Sequence, residues 1–487
     1  MPAQGETTSL LGTNPDVRAK LPLPLSLSPA SSPPSSASTS SSASSGGSSL
    51  SMGDPSPVAN RRRSRGALCC AEGIKRRRAL LVLAALSLLL LFLVVHHCAK
   101  WYKAKQVHEN PHLSQDEIMK EQNSGPYRLV ERQYGDDFFQ FYDFHDGPDS
   151  EGSAGYNVYV GKERAMELGI AKVVKDDQTG EQFVHMSSTP TNDGPRESVR
   201  LEGKRRYHDG LFILDLRHMP AGCGLWPAFW LTDGENWPNN GEIDIVEGIN
   251  DQTIARTAMH SSDRCDMFGH VPPTEKTGYW DTATGIPDSF TGEPNFDIKV
   301  DSDNCYAYAS HQWVNQGCVQ ISEKDDTSGE PLNAKGGGVY ALEWDPVNLR
   351  IRSWVFPFED GHNVDYDGHA GLPSNLVEVL STVNKSDGSS AVIPDTDTWG
   401  LPYAYFAVGP TTGCFSDHFQ NMQLVFNLAF CGSVSGNKFF QDCPAQAKQF
   451  NVNSDPIQTC NAWITSDPEE LKEAYWKVGG VYVYERS

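Results

Sequence analysis

Apolar and polar positions change rhythm three times along this chain, and each change predicts a different kind of segment. Residues 1 to about 60 show no apolar periodicity and are rich in Ser, Pro, Gly and Thr, with a near-continuous serine tract from Ser31 to Ser51. Such a stretch buries too little apolar surface to offset the entropy of ordering, so it is expected to be disordered. Residues 79–95 are then apolar at every position except Ser87, at the short end of what spans a bilayer as a helix. From Tyr127 onward, short aromatic and β-branched runs alternate with Gly, Pro, Asn and Asp. Residues 210–217, 339–344, 351–356, 423–430 and 481–484 read as strands, and residues 467–475 as a candidate helix. No linker interrupts this part, which predicts one all-β sandwich with long loops.

The flanks of the apolar run decide its orientation. Arg61, Arg62, Arg63, Arg65 and Lys75 to Arg78 precede it, which places residues 1–78 in the cytoplasm as a basic tail and everything after the run in the lumen or outside the cell. Lys100, Lys103 and Lys105 soften that asymmetry, whereas Trp101 and Tyr102 fit an interfacial aromatic belt. A cleavable signal peptide would lie nearer the N-terminus and end in small residues, unlike His96-His97-Cys98-Ala99. The expected order is tail 1–78, signal anchor 79–95, stem 96–126 and folded domain 127–487, a single-pass type II membrane protein. Ser114-Gln115-Asp116-Glu117 is a capping-box pattern that starts a brief stem helix. Cys69 and Cys70 read as reduced cytoplasmic thiols.

Within the folded part, Gly241-Glu242-Ile243-Asp244-Ile245-Val246-Glu247-Gly248 sets three carboxylates into a segment that otherwise reads as a buried strand. Alternation puts Glu242 and Asp244 on one face and Ile243 and Ile245 on the other, but it also turns Glu247 inward. One extra residue near Ile245-Val246, a β-bulge, would restore Glu247 to the acidic face. Glu242 and Glu247 would then have Cα atoms roughly 13 Å apart, from which long side chains can converge to the roughly 5–5.5 Å of a retaining carboxylate pair. Three such neighbours cannot all ionise freely, so at least one pKa should rise. The acid-x-acid-x-x-acid spacing alone is weak in a chain with 62 Asp and Glu; Trp226, Trp230 and Trp237 just upstream supply the context, since indoles near carboxylates offer faces for sugar rings.

Charge and cysteine content narrow the picture. Before Gln106 there are 13 Lys and Arg against 4 Asp and Glu, so a net charge of −22 for the chain leaves about −31 on the remainder. That argues against nucleic acid as a partner and is compatible with a neutral polysaccharide. Cys223, Cys265, Cys305, Cys318, Cys414, Cys431, Cys443 and Cys460 form an even set suited to four disulfides in an oxidising compartment, with pairing left open. Asn384-Lys385-Ser386 is an N-glycosylation sequon. Neither a Cys-x-x-Cys pattern nor a D-x-D-x-D loop is present, so no metal and no cofactor are assigned.

Several runs resemble the fungal laminarinases of glycoside hydrolase family 16: residues 195–200, residues 214–220, Gly222 to Trp230, Gly241 to Asn250, residues 427–432, and residues 474–476 and 481–484. The resemblance implies a β-jelly roll of two curved antiparallel sheets and retaining hydrolysis of internal β-1,3 or mixed 1,3/1,4 glucan bonds. Carried onto this chain, it makes Glu242 the nucleophile, Asp244 its support, Glu247 the acid/base and His260 a supporting histidine. Trp226, Trp230 and Trp237 are the sugar-contacting candidates. One of the three is expected to belong to the core, and Trp237, beside Asn239, is the favoured contact. Two departures stand out: Val434 occupies a place where the family carries tryptophan, and the loop from Cys265 to Cys305 is long. The anchor also fits glucan-synthesis proteins, which brings in a remodelling transglycosylase and a non-catalytic assembly factor as alternatives.

Overall fold

The computed structural model describes residues 125–149, 153–177, 180–190, 194–283, 300–359, 371–383, 391–466 and 469–487. The tail, the signal anchor, the stem helix and Asn384 lie outside them. Among the described residues, no helix is long and apolar enough to cross a membrane.

Two antiparallel sheets of eight strands each carry the fold. The first runs Ala404–Ala407, Arg350–Pro357, Gly338–Asp345, Gly210–His218, Tyr475–Arg486, Gln182–Ser187, Ala171–Lys175, with Tyr127–Gln133 also paired to Tyr475–Arg486. The second runs Tyr279–Trp280, Cys318–Ile321, Arg256–His260, Glu242–Glu247, Leu225–Thr232, Gln423–Phe430, Arg200–Gly203, Tyr142–Phe144. Their facing sides share one core. Phe212, Leu214, Leu342, Val481 and Val483 come from the first sheet, and Phe229, Leu231, Ile243, Ile245, Met259 and Phe426 from the second. Phe229 stacks on its cross-strand partner Phe426 with centroids 4.3 Å apart.

The first sheet is covered on its outer face too. Leu211, Ile213, Val339 and Ala341 pack there under Leu376, Val379, Leu380 and Val383 of the helix Ser374–Val383. Burial on both faces explains why Gly338–Asp345 is buried at all eight positions and shows no alternation. Among the described residues no helix covers the central strands of the second sheet as one covers the first, and its outer face carries polar side chains of those strands, among them Glu242, Asp244 and Asn427.

Strand positions follow the expected stretches: Gln423–Phe430 has the expected bounds and the other four are lengthened by pairing. The helix expected over residues 467–475 is a correction. Among the described residues of that stretch only Glu469–Glu473 coils, as a 3-10 turn, and Tyr475 already begins a 12-residue strand held between neighbours on both sides. Ladder pairing there overrides a weak local helical pattern. The helix that does form nearby, Pro456–Thr465, has a readable start: Pro456 follows Asp455, whose carboxylate accepts from the Gln458 N–H at 3.0 Å. Eight cysteines pair as Cys223–Cys443, Cys265–Cys414, Cys305–Cys318 and Cys431–Cys460.

On the outer face of the first sheet, Glu343 is fully buried yet saturated with partners. It accepts from Arg352 Nε at 2.6 Å, Arg350 Nε at 3.2 Å, Thr396 Oγ1 at 2.7 Å and Tyr127 Oη at 2.9 Å. Burial pushes its carboxyl up, but the Arg352 and Arg350 guanidiniums outweigh that and hold it below the usual range. Glu343→Gln leaves the Arg350, Arg352 and Arg486 guanidiniums facing a neutral amide and is expected to cost about 3–5 kcal/mol. Denaturant melts read this directly, and an unchanged midpoint would show that the cluster is not what ties the first strand to the sheet.

Candidate functional site

The catalytic geometry is made by one irregularity. Between Leu225–Thr232 and Glu242–Glu247 the register runs Thr232 to Glu242, Leu231 to Ile243 and Trp230 to Asp244, then jumps to Phe229 opposite Val246 and Ala228 opposite Glu247. Ile245 is therefore unpaired on the neighbouring strand. Ile243, Ile245 and Val246 all point into the core, while Glu242, Asp244 and Glu247 share the outer face. The expected bulge is present, at the expected place.

The neighbouring strands complete that face. His260 lies opposite Glu242 on Arg256–His260, and its Nε2 is 3.3 Å from Asp244 Oδ2 and 3.7 Å from Glu242 Oε1. Its Nδ1 is buried without a partner, which puts the ring proton on Nε2, facing the carboxylates. Gly317 closes the space beneath the ring: a Cβ there would come within 2.8 Å of His260 Nδ1 and 2.4 Å of the Met259 carbonyl oxygen. On the other side, Trp226 Nε1 donates to Glu247 Oε1 at 2.8 Å, and Trp230 Nε1 to Asn427 Oδ1 at 2.7 Å. Arg200 sits with its guanidinium 5.4 Å from the Trp230 ring.

All three tryptophans are half-buried, so none of them belongs to the core as one was expected to. The reason is register: Trp226 and Trp230 alternate with Leu225, Phe229 and Leu231, of which Phe229 and Leu231 fill the core between the sheets and Leu225 a smaller cluster beside it. Trp237 lies apart from the acid strand, in the loop at the Glu242 end, edge-on to Tyr308. Asn239, in the same loop, is exposed. Asn427 and Arg200 were missed by sequence reasoning. Asn427 had a signal, as the polar residue among Phe426, Leu428 and Phe430 in a strand, directly opposite Ala228.

Electrostatics separate the acids. Burial first, then the Asp244 charge beside it, push Glu242 up to about 8, with His260 opposing the rise. Asp244 is raised well above the carboxylate range, again by burial first and then by Glu247. Asp244 is the deeper of the two, with a side chain 5% exposed against 16% for Glu242. Asp244, the more deeply buried, is thus the acid of the two whose neutral form the site favours more strongly. The donor atoms of Glu242, Asp244 and His260 lie within 4.8 Å of one another, close enough to hold a cation. A second such cluster among the described residues, Cys223, Asp251 and Cys443, has both its sulfurs tied in a disulfide.

An all-β sandwich with a bulged acid-x-acid-x-x-acid strand under tryptophans defines a class, the catalytic domains of glycoside hydrolase family 16. The chain belongs to that family: residues 139–367 and 381–484 match the XgeA-like catalytic GH16 domain. Among its relatives, a probable endo-1,3(4)-beta-glucanase of Aspergillus fumigatus is 32% identical over 365 residues, covering 74% of this chain and 46% of that protein. The chain thus spans about half the length of the curated relatives it matches. Laminarinase 16A from Phanerochaete chrysosporium, solved with two β-glucans in donor and acceptor sites, superposes with a TM-score of 0.54 at 28% identity, over 74% of this chain and 99% of that one. An elongating family 16 β-1,3-glucosyltransferase superposes equally well, with a TM-score of 0.55, 28% identity and the same coverage.

A carboxyl whose folded pKa lies above its unfolded value holds its proton more tightly when folded. Its favourable contribution is lost as pH rises between the two, here from about 4.5 to about 8. Glu242→Gln, which keeps shape without charge, is therefore expected to raise the melting temperature by several degrees at pH 8 and to change it little at pH 4. Calorimetry at the two pH values checks this; equal shifts at both would mean that Glu242 carries no buried-charge penalty.

Proposed function

We propose that the chain is a retaining endo-β-glucanase that hydrolyses internal β-1,3 or mixed 1,3/1,4 glucan bonds. The observation that carries this reading is the bulge at Ile245, which turns Glu242, Asp244 and Glu247 onto one open face flanked by Trp226 and Trp230. In the first step Glu242 attacks the anomeric carbon, the glycosidic C–O bond breaks, and the Glu247 proton passes to the departing oxygen. In the second, Glu247 takes a proton from water, the water oxygen attacks the same carbon, and Glu242 leaves. Asp244, protonated, donates to Glu242 and lowers the cost of its charge, and His260 Nε2–H supports both. The β-glucans bound to the similar Laminarinase 16A support a β-glucan as substrate.

A second reading has its own observation. The equally similar glucosyltransferase elongates β-1,3 glucans, and the same covalent intermediate intercepted by a sugar hydroxyl would make this chain a remodelling transglycosylase. A non-catalytic assembly factor is disfavoured because all three carboxylates are in place. We also propose that residues 79–95 anchor the protein as a single-pass type II membrane protein with residues 127–487 lumenal or extracellular, on the strength of the basic cluster before the run.

The wild type and Glu242→Gln, produced through an oxidising secretory route, are to be incubated with laminarin and mixed-linkage β-glucan. Wild type alone is expected to shorten them, with the β-anomer released first in proton NMR and activity down by about 10⁴-fold or more in the variant. Initial release of the α-anomer would refute retention. Lengthened products would move the assignment to the transglycosylase.

A further inference from the structure

The bulge does more than turn Glu247 outward; it also chooses its neighbour. Leu225–Thr232 presents Trp226, Ala228 and Trp230 to the outer face, with Trp230 opposite Asp244 and Ala228 opposite Glu247. A regular ladder would continue from Trp230 and Asp244 to Ala228 and Val246. The extra residue sets Glu247 across from Ala228 instead, whose small side chain leaves the carboxyl open to the next outer residue of that strand, Trp226. The Trp226 Nε1–H donates to Glu247 Oε1 at 2.8 Å, and among the described residues no other group hydrogen-bonds that carboxyl. Both backbones are tied past the bulge. Trp226 pairs with Ala429 on the next strand, the Pro227 carbonyl accepts from the Gly248 N–H at 3.2 Å, and the Leu225 carbonyl accepts from the Asn250 N–H at 3.0 Å. Asn250 Oδ1 in turn accepts from the Gly224 N–H at 2.9 Å, while its Nδ2 donates to the Ser435 carbonyl and to Asp442 Oδ2, each at 3.0 Å. A half-buried indole and a half-buried carboxyl thus meet on a fixed base.

The chemistry of the two groups says what that bond does. An indole N–H donates and never accepts, and it carries no charge that changes with pH. A protonated carboxyl accepts best at its carbonyl oxygen, so with the indole on Oε1 the proton of Glu247 sits on Oε2. Once Glu247 is ionised the same bond becomes charge-assisted and stronger. In the first step a Glu242 oxygen bonds to the anomeric carbon, the glycosidic C–O bond breaks with its electron pair on the departing oxygen, and the Oε2 proton passes to that oxygen. Negative charge thereby moves from Glu242 to Glu247, two positions on the same face of one strand. The indole dipole already points at the place where the charge arrives. An interaction that strengthens as charge develops lowers the barrier rather than merely holding the substrate.

We propose that Trp226 is a positioning residue for the acid/base: its Nε1–H holds Oε1 of Glu247 through both steps, so that Oε2 alone gives the proton to the departing oxygen and takes one from water. The proposal deepens the hydrolase reading and rests on it. It gives Trp226 a part that Trp230 does not share, although both are indoles on one face of one strand. The Trp230 Nε1–H goes to Asn427 Oδ1, an amide, and not to an acid.

The test uses Trp226→Phe, which keeps an aromatic face and removes the N–H, and aryl β-laminaritriosides of nearly equal size whose phenols differ in acidity. A phenyl group needs a proton to leave, and a 2,4-dinitrophenyl group does not. Trp226→Phe is expected to lower kcat/KM about 10- to 100-fold on the phenyl glycoside and by no more than about threefold on the dinitrophenyl one. Trp230→Phe is expected to lower both alike. Equal losses on the two substrates in Trp226→Phe overturn the proposal, because a lost sugar platform or a loosened fold weakens both; the same bias in Trp230→Phe overturns it too. Proton–nitrogen NMR of the indoles gives a readout that needs no turnover. The Trp226 resonance, assigned by its disappearance in Trp226→Phe, is expected at low field and to move upfield in Glu247→Ala further than any other indole. An unmoved resonance overturns the bond and the proposal with it. A wild type that shortens no β-glucan overturns the hydrolase reading itself, whereas one that does so with no leaving-group bias in Trp226→Phe overturns this proposal alone.

Discussion

A single residue without a cross-strand partner, Ile245, is the constraint on which the site depends. Backbone pairing on both sides of Glu242–Glu247 holds the strand in place, and the core demands that Ile243, Ile245 and Val246 all be buried. Only an extra residue satisfies those demands while leaving Glu247 on the side of Glu242 and Asp244. The hydrophobic effect, acting on three aliphatic side chains, thereby aims the three acids.

That aim has an electrostatic cost, and the structure shows two ways of meeting such a cost. Glu343, on the first sheet, is buried with two guanidiniums and two hydroxyls around it and stays ionised. Glu242 and Asp244 are buried beside each other and Glu247, with His260 Nε2 as their near neighbour and no guanidinium hydrogen bond, so both are pushed above the usual carboxylate range. The first arrangement stabilises a fold. The second stores chemistry, because a proton and a carboxylate that can exchange roles are what acid and nucleophilic catalysis require.

The walls of the site come from segments with little regular structure, stiffened by covalent and side-chain ties. Cys305–Cys318 closes one loop and Cys431–Cys460 anchors the other, while Asn250 and Gln312 satisfy backbone groups that loops otherwise leave to water. The disulfides suit the oxidising compartment that the even cysteine count implied. Family 16 membership sets the scaffold on which these loops stand.

Local pattern was enough for the strands, the acid triplet and its bulge, because alternation with a period of two and one surplus apolar residue are properties of neighbouring positions. Trp226 and Trp230 were legible as site candidates from their place just upstream of the acids, and the expectation that one of the three tryptophans lies in the core failed because the register of their strand turns both Trp226 and Trp230 to the outer face. Residues 467–475 showed the reverse, a local helical hint that lost to pairing with strands nearly 300 and 260 residues earlier in the chain. Disulfide partners, the contact of His260 with both acids, and Asn427 beneath Trp230 were decided by tertiary structure alone. Most join residues from strands or loops far apart in the chain, and even the nearer ones, Cys305–Cys318 and His260 with the two acids, depend on how loops and strands pair; no spacing in a one-dimensional pattern encodes which segments a sandwich topology will bring side by side.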